Sequence, residues 1–90
     1  MPAHLIAWRV RYSELGVQFI PSYWQVALPD DDDVPNTHCP DLREALSEGR
    51  RLFREHQLRS NVYIRPMRTI AWMCPHLCIG CDPYIVRTGF

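Results

Sequence analysis

Residues 41–56 have the sequence DLREALSEGRRLFREH, and this stretch decides the fold because it is the one strong helix signal in the chain. Apolar or small residues recur at the i, i+3, i+4, i+7 spacing that places them along one face of a helix. They are Leu42, Ala45, Leu46, Gly49, Leu52 and Phe53. Asp41 can accept hydrogen bonds from the first free amide groups, and Glu44 completes a capping box. The pattern predicts a helix that begins after Asp41 and ends between His56 and Leu58.

Gly49 lies within the apolar face of this predicted helix. Glycine in a helix interior costs about 1 kcal/mol relative to alanine. The usual compensation is a close approach of the helix to a neighbouring backbone. We therefore expect the helix to lie close against a sheet at this position.

The residues before the helix predict two strands. Between residues 5 and 12, aromatic and aliphatic side chains alternate with Arg9 and Arg11. This period of two is typical of a half-buried strand, with its aromatic face inward and its arginines outward. Residues 13–16 supply a turn, and a second extended stretch covers residues 17–28, with a bulge or bend near Pro21. We expect the two strands to form a hairpin.

The residues after the helix predict the rest of the sheet. Residues 61–64 and 68–74 are rich in strand-forming side chains, and Pro66 separates them. They form either two strands around a bend or one strand with an edge kink. A further short strand is predicted at residues 84–86. The order ββαβ(β) predicts an α+β domain, in which one helix packs across an antiparallel sheet. The whole chain, residues 1–90, is then one domain, with a loop at 29–40 and a cysteine-containing tail at 74–90.

The composition restricts the class of protein. The 90 residues carry no net charge, and 47% of them are hydrophobic and 22% charged, which fits a globular domain. Zero net charge argues against broad coating of nucleic acid. No apolar run approaches the roughly 20 residues that span a bilayer. Arg9 and Arg11 lie where a signal peptide would need its apolar region, so we expect a cytoplasmic protein with no membrane partner.

Three of the four cysteines are clustered. Cys74, Cys78 and Cys81 fall within eight positions, and turns at Pro75 and Gly80 would let their thiolates converge on one ion. A tetrahedral zinc ion needs a fourth ligand. Cys39 would complete an all-thiolate site, and His76 or His38 would instead supply an imidazole. The alternatives are that the cysteines are core residues or redox-active thiols. Zinc is therefore a candidate cofactor.

Arginine side chains predict a docking surface on the helix. Arg43, Arg50 and Arg54 are spaced to share one exposed face, with Arg51 beside them. Guanidinium groups suit carboxylates and phosphates, so this face could dock on an acidic protein or a nucleic-acid backbone. The alternative is an ordinary solvated helix face, in which Arg51 pairs with Glu48 and Glu55.

Four consecutive aspartates form a second charged patch. Asp30, Asp31, Asp32 and Asp33 repel one another, which favours an extended, hydrated loop. The patch could contact a basic partner or weakly bind a hard cation, although it lacks the alternating ligands of an EF-hand loop. The alternative is a solvated loop without a binding role.

The sequence predicts binding rather than catalysis. It contains neither a nucleophile elbow nor a phosphate-binding glycine loop. Its three tryptophans and four tyrosines exceed what a small core needs, and exposed aromatic residues are good interface anchors. We expect a non-enzymatic module that binds a protein; the alternatives are a zinc-binding or thiol-redox domain and, third, a nucleic-acid-binding protein. Free strand edges would also allow a homodimer.

In size and predicted topology, the chain resembles small regulators encoded by phages and mobile elements, among them anti-CRISPR inhibitors. The resemblance rests on the ββαβ order within 90 residues and on no shared motif. It implies a viral inhibitor that blocks a macromolecular complex through its charged patches. A resemblance in fold alone does not specify a function.

Overall fold

The helix predicted from residues 41–56 is present as α1, Leu42–His56. The computed structural model describes residues 3–9, 21–31, 33–56, 60–68, 71–72 and 82–87. A carboxylate oxygen of Asp41 accepts a hydrogen bond from the Glu44 amide at 2.8 Å, and the Asp41 carbonyl accepts one from the Ala45 amide at 3.1 Å. Asp41 therefore caps the helix, as predicted.

The strands around α1 form one mixed sheet. They are β1 (Leu5–Arg9), β2 (Tyr23–Ala27), β3 (Thr37–Cys39), β4 (Val62–Arg68), β5 (Ala71–Trp72) and β6 (Asp82–Ile85). Five of them follow the order β3-β2-β4-β1-β6, and β5 pairs with β4 off this path. One helix packs on this sheet, so the predicted α+β class is confirmed.

The expectation of an antiparallel sheet with a β1–β2 hairpin is wrong. β4 lies between β1 and β2 and pairs with β1 in parallel, from Leu5 beside Val62 to Ala7 beside Ile64. The other strand pairs are antiparallel. A parallel pair needs a long crossover connection, and the chain between β1 and β4 contains β2, β3 and α1. The predicted turn at 13–16 lies outside the described residues.

The predicted loop at 29–40 contains a short edge strand. β3 pairs with β2 in antiparallel register, with Cys39 beside Trp24 and Thr37 beside Val26. Pro35 and Pro40 flank the strand closely, and prolines so near a strand are typical of a loop. The three paired residues are too few to produce a periodic pattern in the sequence.

Pro66 lies inside a continuous strand. β4 pairs with β1 only as far as Ile64 and with β5 only from Met67 onward, so Pro66 occupies the gap between these two ladders. It pairs with Trp24 on the β2 side. Proline has no backbone N–H to donate, and this is tolerated where the hydrogen bonds between two strands are interrupted. Of the two arrangements left open, two strands are observed, the antiparallel pair β4 and β5, but Pro66 lies inside β4 rather than between the strands.

The predicted strand near residues 84–86 is observed as β6, slightly earlier in the chain. It lies at an edge of the sheet and pairs with β1 in antiparallel register, from Ile85 beside Ile6 to Asp82 beside Arg9. The amide of Val86, just after the strand, donates a hydrogen bond to the Leu5 carbonyl at 2.8 Å. This pairing makes β1 an inner strand of the sheet.

The core lies between α1 and one face of the sheet. Its buried residues are Leu5, Ala7, Trp24, Val26, Leu28, Cys39, Ala45, Leu52, Phe53, Val62, Ile64 and Val86. A Cβ atom on Gly49 would lie 2.8 Å from Ile64 Cδ1 and 3.1 Å from Leu5 Cδ1. The helix lies close against the sheet, as predicted, but the atoms nearest to Gly49 belong to side chains and not to the neighbouring backbone that was expected.

The predicted faces of β1 are reversed. The buried face carries Leu5 and Ala7, while Ile6 and Trp8 on the other face are partly exposed. Both faces of this strand are apolar near its start, so alternation between Trp8 and Arg9 did not identify the buried side. The partners of β1 decide the question, because Leu5 and Ala7 lie beside Val62 and Ile64 of the core.

The described helix is too short and too polar to cross a bilayer. α1 has 15 residues and carries charged side chains along its exposed face. Within the part of the chain that the structure describes, no helix meets the length and apolarity that a membrane span requires.

Candidate partner-binding surfaces

Arg43, Arg50 and Arg54 form a row along one side of α1, here named the Arg row. Arg50 lies seven residues after Arg43, close to two turns of a helix, and Arg54 lies eleven residues after Arg43, close to three turns. The row is therefore about 16 Å long. Arg43 and Arg54 are exposed and Arg50 is partly exposed. Among the described residues, no carboxylate forms an ion pair with any of the three.

Arg51 differs from the Arg row because two carboxylates hold it. Its guanidinium donates to both carboxylate oxygens of Glu48 and to Glu55 Oε1, the last at 2.9 Å. The hydrogen bond from Arg51 lowers the pKa of the Glu48 carboxyl. These are the i, i+3 and i, i+4 pairs that the sequence suggested. Arg51, predicted as a binding residue, is thus engaged within the helix.

The helix surface is divided by charge. At 3.6 residues per turn, Glu44, Glu48 and Glu55 fall together on a flank about a third of a turn from the Arg row. This acidic flank lies toward β3, because the charges of Glu48 and Glu44 contribute to the shifted pKa of Cys39. Arg51 lies between the two flanks and is paired with the acidic one. The segregation leaves the Arg row as a separate cationic surface.

The acidic loop is partly structural. Asp31 Oδ1 accepts a hydrogen bond from the Asp33 amide at 3.2 Å, and Asp31 Oδ2 lies 3.5 Å from His56 Nδ1 at the end of α1. Asp30 and Asp33 are exposed. Asp32 lies outside the described residues. The loop therefore presents Asp30 and Asp33 to solvent, while Asp31 lies beside the end of the helix.

Cys39 is a core residue at the end of β3. Its side chain is 6% exposed and belongs to the apolar cluster beneath α1. Burial raises the pKa of the Cys39 thiol, and the charges of Glu48, Glu44 and Asp41 raise it further. Without a bound cation, this environment favours the protonated thiol.

The other predicted metal ligands lie outside the described residues. These are Cys74, Cys78, Cys81 and the alternative ligand His76. His38, predicted as an alternative fourth ligand in place of Cys39, is an exposed residue of β3. Within the described ranges, no group of three or more His, Cys, Asp or Glu side chains is placed to hold a metal ion. The shared zinc site stays a prediction.

We expect Cys39 to be alkylated much more slowly in the folded protein than in the unfolded chain. The thiolate is the reactive form, and both burial and the raised pKa reduce its population and access. Timed iodoacetamide labelling with peptide mass spectrometry, in buffer and in denaturant at one pH, measures the ratio for this cysteine. Equal rates in the two conditions would contradict the assignment of Cys39 to the core.

The sheet face opposite α1 carries an aromatic and cationic cluster that the sequence did not assign. The rings of Trp8 and Tyr63, on neighbouring strands, have centroids 5.8 Å apart. The Arg65 guanidinium carbon lies 5.9 Å from the Trp8 centroid and 5.1 Å from the Tyr63 centroid. All three side chains are partly exposed. Tyr63 and Arg65 are two residues apart, so the sequence predicts that they share one face of a strand. It does not show that this strand lies beside β1, which is what brings the two side chains next to Trp8.

This surface, here named the open face, extends across the sheet. On the β2 side, the rings of Tyr23 and His38 have centroids 4.7 Å apart. On the β6 side, Ile6 lies beside Ile85, which is 62% exposed. Gln25 of β2 lies on the same face, beside Arg65 of β4. Ala27 and Met67 share this face and are buried. The described part of the molecule thus has two surfaces of distinct chemistry, the Arg row on one side and the open face on the other.

Comparison of the chain with protein families, with curated proteins and with solved structures found no match.

Proposed function

We propose that this protein is a non-enzymatic binding module whose Arg row docks on an acidic surface of another protein. The observation that carries the proposal is the separation of charge on α1. Arg51 is neutralised by Glu48 and Glu55, whereas Arg43, Arg50 and Arg54 lie together without such partners among the described residues. Arginines on the exposed side of a helix are well placed to make bidentate bonds with carboxylates.

A protein partner is favoured over nucleic acid by the number and surroundings of the charges. Affinity for nucleic acid grows with the number of phosphates that are neutralised. The Arg row offers three cations, and the chain as a whole has no net charge. Asp30, Asp33 and the acidic flank of α1 would repel a long phosphate backbone. A limited patch of carboxylates on a folded protein matches the length of the row better.

The predicted inhibitory role belongs to the same proposal. Covering an acidic surface of a nuclease complex, or of another assembly, would block whatever that surface normally binds. The exposed Asp30 and Asp33 could contact basic residues at the rim of the same interface, where charges act mainly on the rate of association. The resemblance to small phage-encoded inhibitors in size and topology is compatible with this mode of action.

We expect the double substitution Arg50→Glu, Arg54→Glu to abolish partner binding without unfolding the protein. Each arginine at the centre of an interface contributes on the order of 2 kcal/mol, or about 30-fold in affinity. Exposed substitutions of this kind change stability by about 0.5 kcal/mol or less. Tagged protein is used to capture partners from nuclease-treated host lysate, the captured protein is identified by mass spectrometry, and its affinity for each variant is then titrated.

Arg51→Gln is the matched control, because it removes a charge from the same helix that Glu48 and Glu55 already neutralise. We expect this variant to bind the partner as the unmodified protein does. Equal binding by the double charge-reversal variant would remove the Arg row from the proposal. Capture that disappears on nuclease treatment would favour the nucleic-acid alternative.

A further inference from the structure

Ser47 completes the Arg row into a continuous stripe along α1. Its side chain is exposed, and it lies four residues after Arg43 and three residues before Arg50. The stripe therefore runs from Arg43 to Arg54 in steps of four, three and four residues. At 3.6 residues per turn, these steps keep the four side chains within about 60° of one another around the helix axis. The stripe is thus nearly parallel to the axis of α1.

The acidic flank of α1 has the same spacing. Glu44, Glu48, Arg51 and Glu55 also follow one another in steps of four, three and four residues. Glu44 and Glu55 are exposed and Glu48 is partly exposed. Arg51, at the third position, pairs with Glu48 and Glu55. One helix thus carries two parallel stripes, one with three guanidinium groups and a hydroxyl, the other with three carboxylates and a guanidinium group.

The two stripes are complementary when they come from two copies of α1 that lie antiparallel. Steps of three and four residues are the repeat by which one helix packs along another. Because both helices rise by about 1.5 Å per residue, the stripes stay in register along their whole length. Every arginine of the Arg row then lies opposite a glutamate, and the single serine lies opposite the single arginine of the acidic flank. The pairs are Arg43 with Glu55, Ser47 with Arg51, Arg50 with Glu48, and Arg54 with Glu44.

The parallel arrangement of the same two stripes is less favourable. It places Arg50 opposite Arg51, and like charges across an interface are unfavourable. The antiparallel arrangement also opposes the two helix dipoles. The centre of the sheet-facing side of α1 lies about a third of a turn from each stripe. Reversing one helix therefore places the two sheets on opposite sides of the helix pair, where they do not collide.

We propose that the Arg row of one copy docks on the acidic flank of a second copy, with the two α1 helices antiparallel. The contact joins two different surfaces, so the pair still presents one Arg row and one acidic flank to further copies. The chain has no net charge, so long-range repulsion does not oppose the approach. This inference goes beyond the proposed function, because a second copy and an acidic partner would compete for the same row.

The proposed contact depends on salt. Ion pairs on an exposed surface contribute little individually and are screened by dissolved ions. Three such pairs would support a weak association, which is seen at high protein concentration and low ionic strength. At 1 M salt, charges are screened beyond about 3 Å, so the association constant should fall at least 10-fold. Association through the apolar side chains of the open face would not weaken in this way.

The test is an exchange of charge between the stripes, followed by sedimentation velocity at low salt. One variant carries Arg43→Glu and Arg54→Glu, and the other carries Glu44→Arg and Glu55→Arg. All four side chains are exposed, so both variants should keep the fold, which circular dichroism checks. We expect each variant alone to associate at least 10-fold more weakly than the unmodified chain. An equimolar mixture of the two variants should recover the association to within about threefold, because every opposed pair is again of opposite charge.

The control for net charge is Asp30→Arg with Asp33→Arg, which changes the charge of the chain as much as Glu44→Arg with Glu55→Arg does. Both stripes stay intact in this control, so it should associate as the unmodified chain does. A monomer at all concentrations up to 1 mM at low salt would overturn the inference. So would undiminished association of either single-stripe variant, or a mixture that does not recover. Partner capture is measured at concentrations where the chain is monomeric, so failure of either proposal leaves the other to its own test.

Discussion

Replacing Ile64 with Ala is expected to lower the free energy of unfolding by about 2–5 kcal/mol. Ile64 is 0% exposed, on the strand that lies between β1 and β2, and its Cδ1 atom is directed at Gly49 of α1. Truncation would remove a contact between the helix and the centre of the sheet and leave a cavity. Domains of this size have total stabilities of about 5–15 kcal/mol, so the loss is a large fraction. Urea denaturation followed by circular dichroism measures it.

Ile85→Ala is the matched control, because the same chemical change is made in the same sheet at a side chain that is 62% exposed. We expect its effect on stability to be about 0.5 kcal/mol or less. Similar losses for the two variants would contradict the position assigned to the core. The comparison therefore tests which face of the sheet α1 covers, in addition to whether truncation of an isoleucine lowers the stability.

The helix could be predicted from the sequence because its determinants are local. The cap at Asp41, the apolar face and the pairs formed by Arg51 all lie within a few residues of one another in the chain. The position of Gly49 in the apolar face also predicted the close approach to the sheet, since a glycine there has a cost that packing must offset. The Arg row followed from the same helical geometry.

The sheet could not be predicted to the same extent, because strand pairing depends on residues far apart in the chain. Adjacency along the sequence favoured a hairpin of β1 and β2, but the hydrophobic side chains of Val62 and Ile64 place β4 between them. An inner strand with neighbours on both sides can be apolar on both faces. In β1, Leu5 and Ala7 lie on the buried face, and Ile6 and Trp8 lie on the opposite face. Alternation alone then does not identify the buried face.

The open face was missed for the same reason. The excess of aromatic residues in the composition indicated that some would be exposed, but not which ones. Trp8, Tyr63 and Arg65 come together only because β1 and β4 are parallel neighbours in a particular register. The buried position of Cys39 could not be predicted for a different reason. Its segment has the composition of a loop, but it forms the short strand β3, and the pairing of β3 with β2 brings the thiol beneath α1.

Replacing Gly49 with Leu is expected to destabilise the protein by about 3 kcal/mol or more, because the added atoms have no space between α1 and the sheet. Even a Cβ atom would lie 2.8 Å from Ile64 Cδ1, and real contacts are not that short. Denaturation curves for this variant and for Ser47→Leu, an exposed position two residues earlier in α1, separate overpacking from a general effect of leucine on the helix. Equal stability of the two variants would contradict the close approach.

Gly49→Ala tests the close approach more directly, because the added Cβ atom has two effects of opposite sign on the free energy of unfolding. Alanine favours the helix by about 1 kcal/mol, while its Cβ atom must displace Ile64 Cδ1. Ile64→Val removes that methyl group and leaves Leu5 Cδ1 as the nearest contact, at 3.1 Å. We therefore expect Gly49→Ala to be more favourable in the Ile64→Val background than alone, by a coupling energy of at least about 0.5 kcal/mol in a double-mutant cycle. Strict additivity would mean that the two side chains do not meet, and that the glycine is required by something other than the sheet beneath it.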